Sequence, residues 1–334
     1  MESLSGKQRK HKILRAQLLR TIVQRISWKL QSKGTKQPSQ PMQPQREWKD
    51  NQPPEEAQRN KMLEEIFGKE NMTKAFKRVV ANKGASGIDA MEVEELQEHM
   101  NKHWSTIKSK LLGGKYIPSA VREVEIPKPN GGRRKLGIPT VTDRLIQQAI
   151  AQELSKIYDK EFSANSYGFR PGKSAHQAVR QAESYINEGN VYVVEIDLEK
   201  FFDKVNHDRL MQHLSQRIED KRLLKLIRRY LTKGIMADGI ISRRTEGTPQ
   251  GSPLSPLLSN IVLDELDKEL ESRGHKFVRY ADDCSVYVQS MKSANRVLES
   301  LTEYIEGKLK LKVNREKSKV STATKSSLLG FTFY

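Results

Sequence analysis

The chain has 334 residues, with 59 Lys and Arg against 41 Asp and Glu and a formal net charge of +18. An excess of that size points to a polyanionic partner, nucleic acid or an anionic membrane, and no apolar run reaches the length of a membrane-spanning helix. A single cysteine, Cys284, excludes an intrachain disulfide and fits a reducing compartment, while the length allows a large core with two or three subdomains.

Over residues 1–32, Ile13, Leu14, Leu18, Ile22, Val23 and Ile26 recur at helical spacing, and Arg15, Arg20, Arg25 and Lys29 cover the remaining surface. These four cations are candidates for nucleic-acid contact; a solvated amphipathic helix packed on the body is the competing reading. The stretch also resembles an organellar transit peptide, but no cleavage signature accompanies it. Pro38, Pro41, Pro44, Pro53 and Pro54 bar regular structure in the following stretch, so residues 1–57 read as a helical extension and linker.

Residues 59–112 read as helical, with breaks at Asn82-Lys83-Gly84 and Gly87-Ile88-Asp89. Val121, Val124 and Ile126 mark a strand, Lys128-Pro129-Asn130-Gly131-Gly132 a turn, and 133–138 a second strand, which together make a basic β-hairpin. Helices are expected over 141–162 and 174–188, an apolar strand over 191–197, and helices over about 208–216 and 219–231. A Gly/Pro loop over 246–256 leads into a helix over 257–272. A second hairpin brackets Ala281-Asp282-Asp283, a helix covers 291–309, and Leu328 to Tyr334 is extended. The mixture is α+β, an antiparallel sheet backed by helices.

Asp197 closes one apolar strand, and Asp282 and Asp283 sit at a hairpin tip 85 residues later. Carboxylates at strand ends are costly without a compensating cation, and three that converge repel one another. Mg²⁺ takes oxygen ligands and keeps room for substrate phosphates, and two such ions roughly 3.5–4 Å apart can activate a 3′-hydroxyl and stabilise a leaving pyrophosphate. A bare Asp-Asp pair is usually an ordinary turn; here its surroundings decide. His103, His176 and His207 lack metal-ligand spacing with any cysteine and read as structural or nucleic-acid contacts.

Tyr280-Ala281-Asp282-Asp283 resembles the YxDD box of reverse transcriptases, and Asp197-Leu198-Glu199-Lys200-Phe201-Phe202-Asp203 their preceding palm block. Asn165-Ser166-Tyr167-Gly168-Phe169-Arg170-Pro171-Gly172 resembles the second block of group II intron-encoded reverse transcriptases, and Gly247-Thr248-Pro249-Gln250-Gly251-Ser252-Pro253-Leu254 the fourth. Leu311 to Lys319 resembles the sixth, Leu328-Leu329-Gly330-Phe331 the seventh, and Lys83 to Asp89 the extra N-terminal block of the non-retroviral enzymes. An ordered series over about residues 76–334 is far more specific than one tetrapeptide.

The resemblance implies a right-hand polymerase: fingers over 58–190 (the extra block at 76–98) and mainly palm over 191–334. It implies that Asp197, Asp282 and Asp283 are catalytic and hold two Mg²⁺ ions, with Mn²⁺ as a substitute. Lys128 and Arg134, joined by Arg122, match residues that hold the incoming triphosphate; a solvated basic hairpin is the alternative. Phe202 matches the aromatic gate beneath the sugar, with Phe201 as the alternative, since strand alternation leaves only one of them facing the nucleotide. Gln250 and Gly251 line the nucleotide pocket, and Lys317 matches a basic position near the active site. Tyr167, Phe169 and Arg170 bear on the template strand or serve as scaffold, two readings of equal weight.

The implied activity is RNA-directed DNA synthesis on group II intron RNA, from a DNA or RNA primer with deoxynucleoside triphosphates, by a cytoplasmic ribonucleoprotein without membrane attachment and compatible with a homo-oligomer. The alternatives are a maturase that grips intron RNA to aid splicing, and a CRISPR-associated or retron-type lineage. Two departures stand out. Ala90 follows Ile88-Asp89 where relatives often carry Gly, and the chain ends at Phe331-Thr332-Phe333-Tyr334, where group II intron proteins continue into a helical thumb, domain X. The ending is expected of a trimmed piece or a reduced relative.

Residues 1–50 carry twelve Lys and Arg against three Asp and Glu. Each phosphate neutralised on single-stranded RNA adds roughly −0.7 to the slope of log affinity against log salt. Removing residues 1–56 is expected to weaken RNA binding and flatten that slope, measured across a salt series with circular dichroism to confirm folding. Coincident slopes from a folded truncated protein would dismiss the extension as an RNA-binding element.

Overall fold

The structure, a computed structural model, describes residues 61–127, 133–237 and 239–333. The N-terminal extension with Arg15, Arg20, Arg25 and Lys29, and also Lys128, lie outside the described residues.

Helices α1 (Met62–Ile66) and α2 (Lys69–Asn82) pack on α4 (Val141–Tyr158), and α3 (Leu96–Leu112) packs on α1. Asn71, Ala75 and Val79 recur at four-residue spacing and form the buried stripe of α2. Asn71 is a buried amide, and its Nδ2 donates to Ile66 O and Ala149 O, while its Oδ1 accepts from Gln152 Nε2. The break after α2 falls where the sequence puts it. Lys83 has φ 45° and Ala90 φ 56°, a left-handed backbone that glycine adopts freely and that Ala90 adopts under strain.

The basic hairpin forms from β1 (Val121–Pro127) and β2 (Arg133–Ile138), antiparallel with Ile126 opposite Arg134. Two short strands, β4 (Ile235–Ala237) and β5 (Ile240–Ser242), extend that sheet in the order β2-β1-β4-β5. They were not legible as strands because three residues show no alternation. At the base of the hairpin, buried Asp143 in α4 accepts from Tyr116 Oη, Tyr230 Oη, Ser119 N and Thr140 Oγ1. Burial nevertheless holds its carboxyl above the usual carboxylate range.

The second sheet, order β6-β7-β3-β8, is antiparallel throughout. It contains β3 (Tyr192–Ile196), β6 (Lys276–Tyr280), β7 (Asp283–Val288) and β8 (Lys319–Thr322). Alternation divides its side chains between two cores. Val194, Ile196, Phe277, Cys284 and Val286 join the main core, with helices α9 (Ser255–Ser272) and α10 (Met291–Tyr304). Val193, Val278 and Tyr287 face Ala178 and Ala182 of α5 (Ala175–Asn187). The expected antiparallel sheet backed by helices is present, with helices on both faces.

Between β3 and α9 lie α6 (Phe201–Lys204), α7 (His207–Ser215) and α8 (Lys221–Thr232). Helix α9 begins at Ser255, earlier than periodicity suggests, because Pro256 suits the first turn of a helix. The helix expected over 291–309 is α-helical to Tyr304 and closes in a π turn over Ile305–Leu309. The C-terminal piece folds back as a small hairpin, with Leu329 and Gly330 both at positive φ, the requirement of a type I′ turn. Among the described residues no helix is long and apolar enough to cross a membrane.

Candidate active site

Strands β3 and β7 pair as far as Ile196 opposite Cys284. One further step of that register sets Asp197 against Asp283, the first residue of β7. Tyr280 pairs with Asp283, which leaves Ala281 and Asp282 as a two-residue turn. Ala281 has φ 59°, at a position hairpins normally give to glycine; a non-glycine residue so placed costs about 1–3 kcal/mol.

Two partners hold this turn. The first is the segment before α5: Tyr167 N donates to Arg279 O, and Arg279 N to Asn165 O. Gly168 then lies flat on the turn, so that a Cβ there would stand 2.2 Å from Ala281 N. The second is Arg279 itself, fully buried in β6. Its Nε and Nη2 donate to the two carboxylate oxygens of buried Asp267 at 2.6 Å each. Its Nη1 donates to Asn260 Oδ1 at 2.9 Å and Ala281 O at 2.8 Å, and Nη2 also to Ser166 Oγ at 2.8 Å. Asn260 Nδ2 in turn donates to Gly168 O.

The carboxylates lie at the end of the sheet. Asp197 N donates to Ser318 Oγ, and Asn314 N to Asp197 O, so the turn over 314–318 cradles Asp197. Lys317 Nζ stands 3.5 Å from Asp197 Oδ2, the basic neighbour expected there. Burial, and then the nearby Asp197 carboxylate, push Asp282 above the usual carboxylate range, while Arg134 and Arg279 pull it back. Asp282 thus has Asp197, Arg134 and Arg279 as charged neighbours, Lys317 pairs with Asp197, and Asp283, next in sequence, is exposed. Among the described residues no three His, Cys, Asp or Glu side chains alone are gathered as a metal site. Asp197, Asp282 and Asp283 are among those residues; their carboxylate oxygens are the donor type a hard cation takes, with substrate oxygens left to complete its coordination.

The Gly/Pro loop meets the hairpin next to this cluster. Gly137 N donates to Gln250 O at 2.8 Å, and Gly251, at φ 110°, brings its backbone so close that a Cβ would lie 3.2 Å from Gly137 O. The loop is latched from below: Thr248 N donates to Phe202 O, Gly247 N to Val205 O, and buried His207 through Nε2 to Gly247 O. Phe201 and Phe202 belong to the helical turn α6 and not to a strand, so strand alternation does not sort them. Burial does: Phe201 is in the core, and Phe202 is only half-buried.

Two expected contacts are corrected. The Tyr167 ring is buried under Lys173. The Arg170 guanidinium is held by Asp159 and by the carbonyls of Ser163 and Ser166. Both are scaffold, and only Phe169, 55% exposed at φ 60°, faces outward. Arg122 donates through Nε and Nη2 to Ser86 O, so it ties the 83–89 loop to β1. The sequence reading missed Arg279, Asp267 and Asn260. Their one signal is a lone Arg in the apolar strand Phe277-Val278-Arg279-Tyr280, with acids in the otherwise apolar run Ile261 to Leu270.

A methyl group at residue 168 has no room. Gly168→Ala is expected to displace the Ala281–Asp282 turn and to lower primer extension by about 100-fold or more. Steady-state kinetics on the purified variant checks this; wild-type rates would show that the turn tolerates the shift.

The reverse transcriptase (RNA-dependent DNA polymerase) family matches residues 126–333. Protein YkfC of Escherichia coli (strain K12) is 32% identical over 300 residues, 78% of this chain and 79% of that protein. The group II intron-encoded protein LtrA of Lactococcus lactis subsp. cremoris is 35% identical over 249 residues, 74% of this chain and 40% of LtrA. Among solved structures, a partial Cas6-RT-Cas1–Cas2 complex aligns at 26% identity over 73% of this chain and 42% of that chain, with a TM-score of 0.46. The chain belongs to the reverse transcriptase (RNA-dependent DNA polymerase) family, with group II intron-encoded proteins among its relatives.

Proposed function

We propose that Asp197, Asp282 and Asp283 are the catalytic carboxylates of an RNA-directed DNA polymerase that extends a DNA or RNA primer on group II intron RNA. The observation that carries this reading is the sheet register, one step beyond Ile196 opposite Cys284, that brings Asp197 to the end of the sheet where the Ala281–Asp282 turn closes, with Lys317 Nζ 3.5 Å from Asp197 Oδ2. Two Mg²⁺ ions, or Mn²⁺ in their place, would supply activation of the primer 3′-hydroxyl and charge stabilisation of the leaving pyrophosphate. Arg134, with Lys128, neutralises the triphosphate of the incoming deoxynucleotide. Lys317 keeps the Asp197 carboxylate turned toward the site. Gly251 lets the loop backbone approach the nucleotide, and Gln250 lines the pocket. Phe202, fixed from behind by Phe201 with the rings 5.4 Å apart, closes the space a 2′-hydroxyl would need.

The protein acts in a cytoplasmic ribonucleoprotein with its intron RNA, and binding that RNA also serves splicing. The basic extension and the likeness to LtrA support this second role, which does not use the aspartates.

The double substitution Asp282→Asn with Asp283→Asn is expected to reduce DNA synthesis on poly(rA)/oligo(dT) to background while a gel shift shows RNA affinity nearly intact, because the carboxylates act at the transition state more than in binding. Near wild-type extension would remove the site assignment. Phe202→Ala is expected to admit ribonucleotides, raising the ribo- to deoxynucleotide incorporation ratio about tenfold or more. An unchanged ratio would dismiss Phe202 as the gate.

A further inference from the structure

We propose that Arg279, through its buried pairing with Asp267, is a positioning residue that fixes the Ala281–Asp282 turn and couples it to the nucleotide loop. This rests on the reading of Asp282 as a metal-holding carboxylate.

A buried ion pair is weak evidence for stability, since apolar residues of similar volume often serve the fold as well. What distinguishes Arg279 is where its donors go. A guanidinium has five N–H donors in a fixed plane, and all five are engaged: two on Asp267, and one each on Asn260 Oδ1, Ser166 Oγ and Ala281 O. The last of these holds the backbone of the one turn residue at positive φ, directly before Asp282. Asn260 links the guanidinium to Gly168 O, and Gly168 presses on the same turn from the other side.

Asp267 and Asn260 lie seven residues apart on one face of α9, and the first turn of that helix is tied to the nucleotide loop. Ser255 Oγ donates to Pro249 O, and Ser252 Oγ bonds Gln147 Oε1. The loop that contacts Gly137 and the turn that carries Asp282 are thus both tied to one helix, the loop directly and the turn through Arg279. A nucleotide seated against the loop meets carboxylates already set at the correct distance, which is how outer contacts orient metal-holding groups.

The test uses the full chain with Arg279→Lys. Lysine keeps the charge but lacks the planar fork, so it cannot serve Asp267 twice and still reach Ala281 O and Asn260. The variant is expected to fold by circular dichroism and to bind primer–template as the parent does. Its KM for deoxynucleotide should stay within about threefold, while kcat falls about 100-fold. Mn²⁺ binding, followed by electron paramagnetic resonance without substrate, should weaken about tenfold. A folded variant with kcat and Mn²⁺ affinity within about twofold of the parent overturns the proposal. If Arg279→Lys does not fold, Ser166→Ala decides, because it removes a single acceptor from Nη2. A loss of about three- to tenfold in kcat with weaker Mn²⁺ binding supports the proposal, and unchanged values overturn it. The Asp282→Asn, Asp283→Asn chain run in parallel separates the two layers. If that chain keeps both rate and Mn²⁺ affinity, the underlying site reading has failed. If it loses both while the folded positioning variant loses neither, only the positioning role has failed.

Discussion

A guanidinium buried between a sheet and its backing helix must find a partner for every donor, and the environment of Arg279 follows from that requirement. Leaving such a charge unpaired costs about 3–5 kcal/mol. Asp267 must therefore come from α9, Ser166 from the segment before α5, and Ala281 O from the turn after β6, all to one point. Three elements, one of them more than a hundred residues away in sequence, are brought into register by one side chain. The strained turn at Ala281 persists because these bonds and the flat face of Gly168 over-determine it.

The sheet separates this clamp from the chemistry by pleat alone. Successive residues of a strand face opposite sides. In β6, Arg279 lies among the α9 contacts, while Val278 on the other face joins the α5 cluster. Asp197 follows Ile196 at the strand end and emerges next to Lys317, where solvent and substrate can reach it. Asp282, at the turn, feels both environments: burial and Asp197 favour its protonated form, and Arg134 and Arg279 favour its charge. The site is thus a place where a carboxylate pair is incompletely compensated by the protein, the condition under which a hard cation binds.

The chemistry was more legible than its support. Tyr280-Ala281-Asp282-Asp283 and the strand ending at Asp197 could be read because a period of two and an abrupt acid are local features, and the hairpin at 121–138 because its turn residues are unmistakable. The failures are all tertiary. Tyr167 and Arg170 read equally as template contacts or scaffold in one dimension, and partners distant in sequence decide for scaffold: the Tyr167 ring joins the cluster of Val193, Val278 and Tyr287, and Asp159 pairs with Arg170. Phe201 and Phe202 were sorted by strand alternation although the chain has already turned helical; the core chooses between them. Strands β4, β5 and β8 have three or four residues each, too short to show a period; β4 and β8 form on the edges of β1 and β3, and β5 on β4.

The central claim, that a sheet end clamped from behind presents Asp197 and Asp282 to a divalent cation, is tested most directly by anomalous diffraction from crystals of the protein with RNA template, DNA primer, a non-hydrolysable deoxynucleotide and Mn²⁺. The account predicts manganese peaks between Asp197, Asp282 and the nucleotide phosphates, with Arg279 Nη1 still bonded to Ala281 O. Manganese bound elsewhere, or an Ala281–Asp282 turn rebuilt away from Arg279 in the complex, would contradict it.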